Sequence, residues 1–101
     1  MNICDLTVGM KNVNVEGEVA HKSETMEVYS RFGNKVNRVA NVTLRDHTGS
    51  IKLILWNEQI NGVAVGNIIR IENGYVTEFR GEKQLNVGKR TGKISVVRRL
   101  S

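Results

Sequence analysis

Valine and isoleucine recur at alternate positions with polar residues between them, and the 101-residue chain contains no proline. A period of two sends successive side chains to opposite faces of an extended backbone, whereas an amphipathic helix needs a period near 3.6. Both branched residues also suit the pleated, half-buried surface of a strand. The chain therefore reads as all-β with little helix. Residues 13–19 set Val13, Val15, Gly17 and Val19 on one face, against Asn12, Asn14, Glu16 and Glu18 on the other. Residues 39–45 put Ala40, Val42 and Leu44 toward a core and Val39, Asn41, Thr43 and Arg45 away from it. Asp46-His47-Thr48-Gly49 is turn chemistry, after which residues 50–56 point Ile51, Leu53 and Leu55 inward and Lys52, Ile54 and Trp56 outward.

Between the first two of these strands, residues 23–36 form a polar stretch with Tyr29, Arg31, Phe32 and Lys35, and Gly33-Asn34 offers a tight turn. It reads as a projecting hairpin arm. Past Trp56 the alternation breaks, and Asn57 can cap one short helical turn that Gly62 stops. Alternation resumes with Ile69 and Ile71 inward, then meets Asn73-Gly74. That pair is either a two-residue hairpin turn or a bulge that reverses side-chain parity. Without a bulge Tyr75 points into the core; with one it joins Thr77 and Phe79 on the outer face. Arg80-Gly81-Glu82 turns the chain again, and Leu85, Val87, Ile94 and Val96 belong to a last strand broken near Gly88 and Gly92. Short strands of this number with glycine-rich corners fit a small barrel, either an SH3-like barrel or an OB-fold. The insert between strands three and four favours a single domain over residues 1–101: a five-stranded OB-fold barrel of Greek-key order with a short helical turn between strands 3 and 4.

Composition then limits function. With one Cys and two His, the chain has no intrachain disulfide and too few soft ligands for a structural zinc, so no metal is expected. No apolar run approaches the roughly 20 residues of a membrane span, and the N-terminus lacks a signal pattern, which predicts no membrane association and a cytoplasmic, nucleoid-associated protein. Asp46, His47 and Ser50 have the residue types of a catalytic triad, but they crowd one turn, where Asp46 and Thr48 are better used to bond local backbone. Phosphate-binding glycine motifs are missing as well. The expectation is a non-enzyme without cofactor. Fifteen Lys and Arg against ten Asp and Glu leave a net charge of +5, which suits a polyanionic partner.

The five aromatics narrow that partner. Large rings ordinarily fill cores, but Trp56 has the outward parity of its strand, beside Lys52 and Ile54. Tyr75 and Phe79 lie four apart with equal parity, directly after a glycine-containing interruption. Arg45, Lys52, Arg80, Lys83, Lys89, Arg90 and Lys93 flank them. Rings along a basic groove match single-stranded nucleic acid, because every base offers a face to stack on and every phosphate calls for a cation. Tyr29 and Phe32 can equally clamp a strand or pack the arm onto the barrel, and Lys11, Arg98 and Arg99 read as solvated charges.

The blocks Asp46-His47-Thr48-Gly49-Ser50-Ile51-Lys52-Leu53-Ile54-Leu55-Trp56-Asn57, Val65-Gly66-Asn67-Ile68-Ile69-Arg70-Ile71-Glu72-Asn73-Gly74-Tyr75-Val76, Phe79-Arg80-Gly81 and Leu85-Asn86-Val87-Gly88 resemble the single-OB-fold single-stranded-DNA-binding proteins of archaea. The same pattern is similar to their eukaryotic relatives that sense DNA damage and to the OB domains of archaeal replication protein A. The resemblance implies a base-stacking platform of Trp56, Tyr75 and Phe79, a role in replication, recombination or repair by coating exposed single strands, and no cofactor. Some eukaryotic members carry a further aromatic where this chain has Asn86. Many relatives continue into a partner-recruiting tail, so a chain ending at Ser101 is expected to be an excised domain or a member without that function. The resulting expectation is a protein, monomeric alone, that binds single-stranded DNA with little sequence preference through Trp56, Tyr75, Phe79, Arg45, Lys52, Ile54, Arg80, Lys83, Asn86 and Lys89, with replication or repair proteins as further partners. The alternatives are a single-stranded RNA-binding OB domain, which stacking alone does not distinguish, and a protein-interaction OB domain whose outward rings anchor an interface.

Overall fold

The computed structural model describes residues 1–29, 33, 35–88 and 90–99. After a 3-10 turn at Ile3–Asp5, the alternating segments form β1 (Val13–Lys22), β2 (Met26–Tyr29), β3 (Val36–Asp46), β4 (Gly49–Trp56), β5 (Ile68–Phe79), β6 (Glu82–Val87) and β7 (Lys93–Arg98), with α1 (Glu58–Asn61) between β4 and β5. The sheet runs β1-β3-β4-β6-β5, and β1 also pairs with β5, so these strands close into a ring. All neighbours are antiparallel except β4 and β6. The ring is the OB-fold arrangement expected above, with α1 as the short insert. The arm is present as β2 paired to β3, and the broken last strand is β6 and β7, which pair with successive halves of β5.

Closure depends on strands that serve two partners. β1 pairs with β5 through residues 13–18 and with β3 through residues 18–22. The bend between those halves brings backbones together at Gly17, where a Cβ would stand 2.6 Å from the Arg45 carbonyl oxygen. Only glycine fits that approach. The enclosed side chains are the inward set, including Val13, Val15, Val19, Ala40, Val42, Leu44, Ile51, Leu53, Leu55, Ile69, Ile71 and Leu85, while Ile3, Leu6, Ile60 and Val63 join them from the connections. Every buried apolar side chain among the described residues is aliphatic.

At Asn73 the bulge prevails over the hairpin turn. Val13 pairs with Gly74 while Val15 pairs with Ile71, so Asn14 alone faces both Glu72 and Asn73. Asn73 takes φ +56, and its N–H donates to Asn14 Oδ1 at 3.0 Å. β5 continues through the bulge with its parity reversed: Ile69 and Ile71 point inward before it, Gly74 and Val76 after it, and Tyr75, Thr77 and Phe79 lie outside.

One local expectation is corrected, and Gly62 stops the helical turn as expected. Asn57 does not cap α1; at φ +51 its Oδ1 turns to β3 and accepts the Arg38 N–H at 3.0 Å. Gly62 ends the helix in ordinary right-handed conformation, φ −85, and the Lys22 ammonium takes the Ile60 and Val63 carbonyls, each at 2.6 Å. The turn after β3 uses Asp46 as expected: Oδ1 accepts the N–H groups of Thr48 and Gly49, and Oδ2 accepts that of Ile3. Among the described residues no helix is long and apolar enough to cross a membrane, and no three His, Cys, Asp or Glu side chains cluster as metal ligands.

Candidate nucleic-acid interface

Residues directly opposed in a ladder share a face, so the registers map the outer surface. One row runs Asn41, Ile54, Asn86 and Tyr75; the next runs Thr43, Lys52, Gln84 and Thr77. Trp56 stands beyond the first row, opposite Val39, which in turn opposes Met26 on the arm. Phe79 stands at the other end, opposite Glu82 at the start of β6. The structure thus brings Trp56, Tyr75, Phe79, Ile54, Lys52 and Asn86 onto one sheet face. The rings are 42%, 41% and 57% exposed for Trp56, Tyr75 and Phe79. Asn86 Nδ2 donates to Thr77 Oγ1 at 2.9 Å, giving the centre of the face a bonded polar floor.

Trp56 and Tyr75 share a cleft of about 190 Å³ that Asn57, Glu58, Gln59, Val87 and Gly88 also line. Gln59 fixes this end of the face. Its Oε1 accepts the Trp56 N–H at 2.9 Å and its Nε2 donates to the Val87 carbonyl at 3.1 Å, tying the last residues of β4 and β6 together. At the opposite end Arg80 and Gly81, with φ +52 and +80, form the two-residue turn between β5 and β6. The turn folds the Arg80 guanidinium back over the Phe79 ring, 5.2 Å from its centroid.

The remaining basic positions divide. Arg45 lies on the outer face but is held by Glu18, with Nη2 to Oε1 at 2.6 Å, and Lys52 pairs with Glu82 at 3.3 Å. Both pairs are exposed, so each contributes about 0–1 kcal/mol. Lys83 is not on this face. It shares the parity of Leu85 and Val87, and its ammonium donates to the Leu6 carbonyl at 2.9 Å, closing one end of the ring. Lys89 lies outside the described residues, as do Arg31 and Phe32 of the arm. Tyr29 projects from the side of the arm away from Met26 and Val28, and its hydroxyl donates to Glu27 Oε2 at 3.0 Å. That bond, and then the carboxylate's charge, raise the Tyr29 pKa. Met26 and Val28 are exposed residues of the arm; Met26 continues the row of Val39 and Trp56, and its even spacing from Val28 is the signal for it in the sequence.

The profile of the OB-fold nucleic acid binding domain matches residues 13–97 of the chain. A single-stranded DNA binding protein, Ssb, from Saccharolobus solfataricus is 33% identical over 87 residues, which are 86% of this chain and 57% of that protein. The chain thus spans little more than half the length of that relative. Among solved structures, the replication factor A related protein of Methanobacterium thermoautotrophicum superposes with a TM-score of 0.78 at 27% identity, covering 96% of this chain and 89% of that one. The second OB-fold domain of replication protein A from Methanococcus maripaludis superposes with a TM-score of 0.78 at 24% identity, over 100% of this chain and 97% of that domain. With the closed strand order and the profile match over most of its length, the chain belongs to the OB-fold nucleic acid binding domain family.

Proposed function

We propose that the chain binds single-stranded DNA with little sequence preference, by stacking bases on Trp56, Tyr75 and Phe79 and holding phosphates with Arg45, Lys52 and Arg80. The observation that carries this reading is the placement of the rings. The core of the described residues is wholly aliphatic, yet these three aromatics stand half exposed on one outer face. Large rings gathered on one exposed face depart from their ordinary burial, and base stacking returns on the order of 1–3 kcal/mol for each. Tyr75 and Phe79 are separated by roughly 13 Å along β5, beyond the roughly 4.5–7 Å at which two rings pair, so they serve different bases. Ile54 and Asn86 continue the row from Tyr75 across the sheet face toward β4. The Ssb relative and the replication-protein neighbours support the choice of single-stranded DNA, and coating exposed strands during replication, recombination or repair is the process that fits it.

Trp56 is the chain's only tryptophan, so its emission reports the platform. Oligo-dT added at low salt is expected to quench it saturably, and unchanged emission would overturn the stacking role. Competition with oligo-U of equal length decides between DNA and RNA, because stacking does not sense the 2′-hydroxyl.

A further inference from the structure

Tyr75 has a cleft on each flank, and the two differ in charge. Among the described residues, the one shared with Trp56 includes Glu58 and no Lys or Arg. The other, about 240 Å³, is lined by Lys11, Asn12, Asn73, Gly74, Tyr75 and Thr91, with a cation and no carboxylate among the described residues. Lys11 is held beside Tyr75 by backbone bonds across to β5: Gly9 N–H donates to the Val76 carbonyl at 3.0 Å, and Val76 N–H donates to the Met10 carbonyl at 2.9 Å. Asn12, at φ +55, turns the chain immediately afterwards. The far wall is fixed too, since Asn73 Nδ2 donates to the Thr91 carbonyl at 3.1 Å. Unlike Arg45 and Lys52, Lys11 has no ion pair with a described residue.

We infer that this second cleft is a phosphate subsite, in which Lys11 takes the phosphodiester adjacent to the base stacked on Tyr75 and the side chains of Asn12 and Thr91 supply neutral donors. The inference rests on the single-stranded DNA reading above. An ammonium among amides and hydroxyls is the chemistry of a phosphate contact. The acid on the Trp56 side repels a phosphate there, so the backbone of a strand crossing Tyr75 lies toward Lys11. Lys11 is thereby an interface residue rather than a solvated charge.

The test compares wild type, Lys11→Gln and Arg98→Gln in oligo-dT titrations read by Trp56 emission over a series of salt concentrations. Arg98 lies at the other end of β5, opposite Ile68, and controls for net charge. Loss of one phosphate contact makes the slope of log K against log salt shallower by about 0.7, so the wild-type advantage over Lys11→Gln shrinks about two- to threefold between 0.05 M and 0.2 M salt. That change in Lys11→Gln, with the wild-type slope kept in Arg98→Gln, is the expected result. Wild-type quenching with equal slopes in all three proteins, or equal losses in both variants, overturns the subsite and leaves the stacking reading standing. No quenching in wild type overturns the stacking reading itself.

Discussion

Trp56 and Tyr75 line one cleft although they belong to β4 and β5, which β6 separates in the sheet. Their meeting depends on the bulge at Asn73, which turns Tyr75 outward, and on Gln59, which ties the ends of β4 and β6 together. The shared cleft is therefore a product of strand register.

Trp56→Ala and Phe79→Ala should each weaken oligo-dT binding by about 1–3 kcal/mol, with thermal unfolding followed by circular dichroism little changed. For Trp56→Ala the affinity must be read without intrinsic emission, for example by anisotropy of a labelled oligonucleotide. A collapse of the melting transition in either variant would assign that ring to packing.

The ion pairs on the face predict a gain of function. Glu82→Gln frees the Lys52 ammonium, now 3.3 Å from the carboxylate, and removes a negative charge beside Phe79. Exposed pairs are worth about 0–1 kcal/mol, so affinity for oligo-dT should rise by up to about fivefold, while Lys52→Gln should lower it. Weaker binding by Glu82→Gln would show that Lys52 does not meet phosphate.

Asp46 sets an acid limit on the fold. Desolvation would raise its pKa, but the Thr48 hydroxyl and then the N–H groups of Ile3, Thr48 and Gly49 outweigh that and hold it at about 2, against an ordinary 3.8. A carboxyl with a depressed folded pKa adds stability above its unfolded pKa and loses it as pH falls through the folded one. Wild type should thus lose part of its stability between about pH 4 and pH 2, and Asp46→Asn should be less stable at neutral pH with a smaller loss over that interval. Parallel denaturant midpoints across the pH range would contradict this.

Gly17→Ala tests ring closure. The new methyl would lie 2.6 Å from the Arg45 carbonyl oxygen, and relieving such overlap costs about 1–3 kcal/mol. Urea unfolding should show a lower midpoint, whereas an unchanged midpoint would mean that β1 and β3 separate freely there.

Much of this architecture is legible in local alternation, because a half-buried strand states its own two faces. Trp56 could be placed outside from Ile51, Leu53 and Leu55 alone. Tyr75 could not, since Asn73-Gly74 suits either a turn or a bulge, and only the pairing of β1 with β5 decides between them. Proximity in sequence sets Lys83 beside Phe79, but its parity with Leu85 and Val87 points it away from that face. What lay beyond local reading is long-range: Glu18 reaching Arg45, Asn57 turning to Arg38, and the Met10–Val76 backbone contact that carries Lys11 to Tyr75. Each depends on a register that no single segment encodes.

The most direct test of the central claim is a two-dimensional NMR titration of the isotope-labelled protein with oligo-dT, following backbone amides and the Trp56 indole. Stacking on the outer face should give shifts concentrated at Lys52, Ile54, Trp56, Tyr75, Thr77, Phe79 and Asn86, with Val63, Ile94 and Val96 in the groove between α1 and β7 unaffected. Shifts centred instead on Val63, Ile94 and Val96 in that groove, with the outer ring positions unmoved, would contradict it.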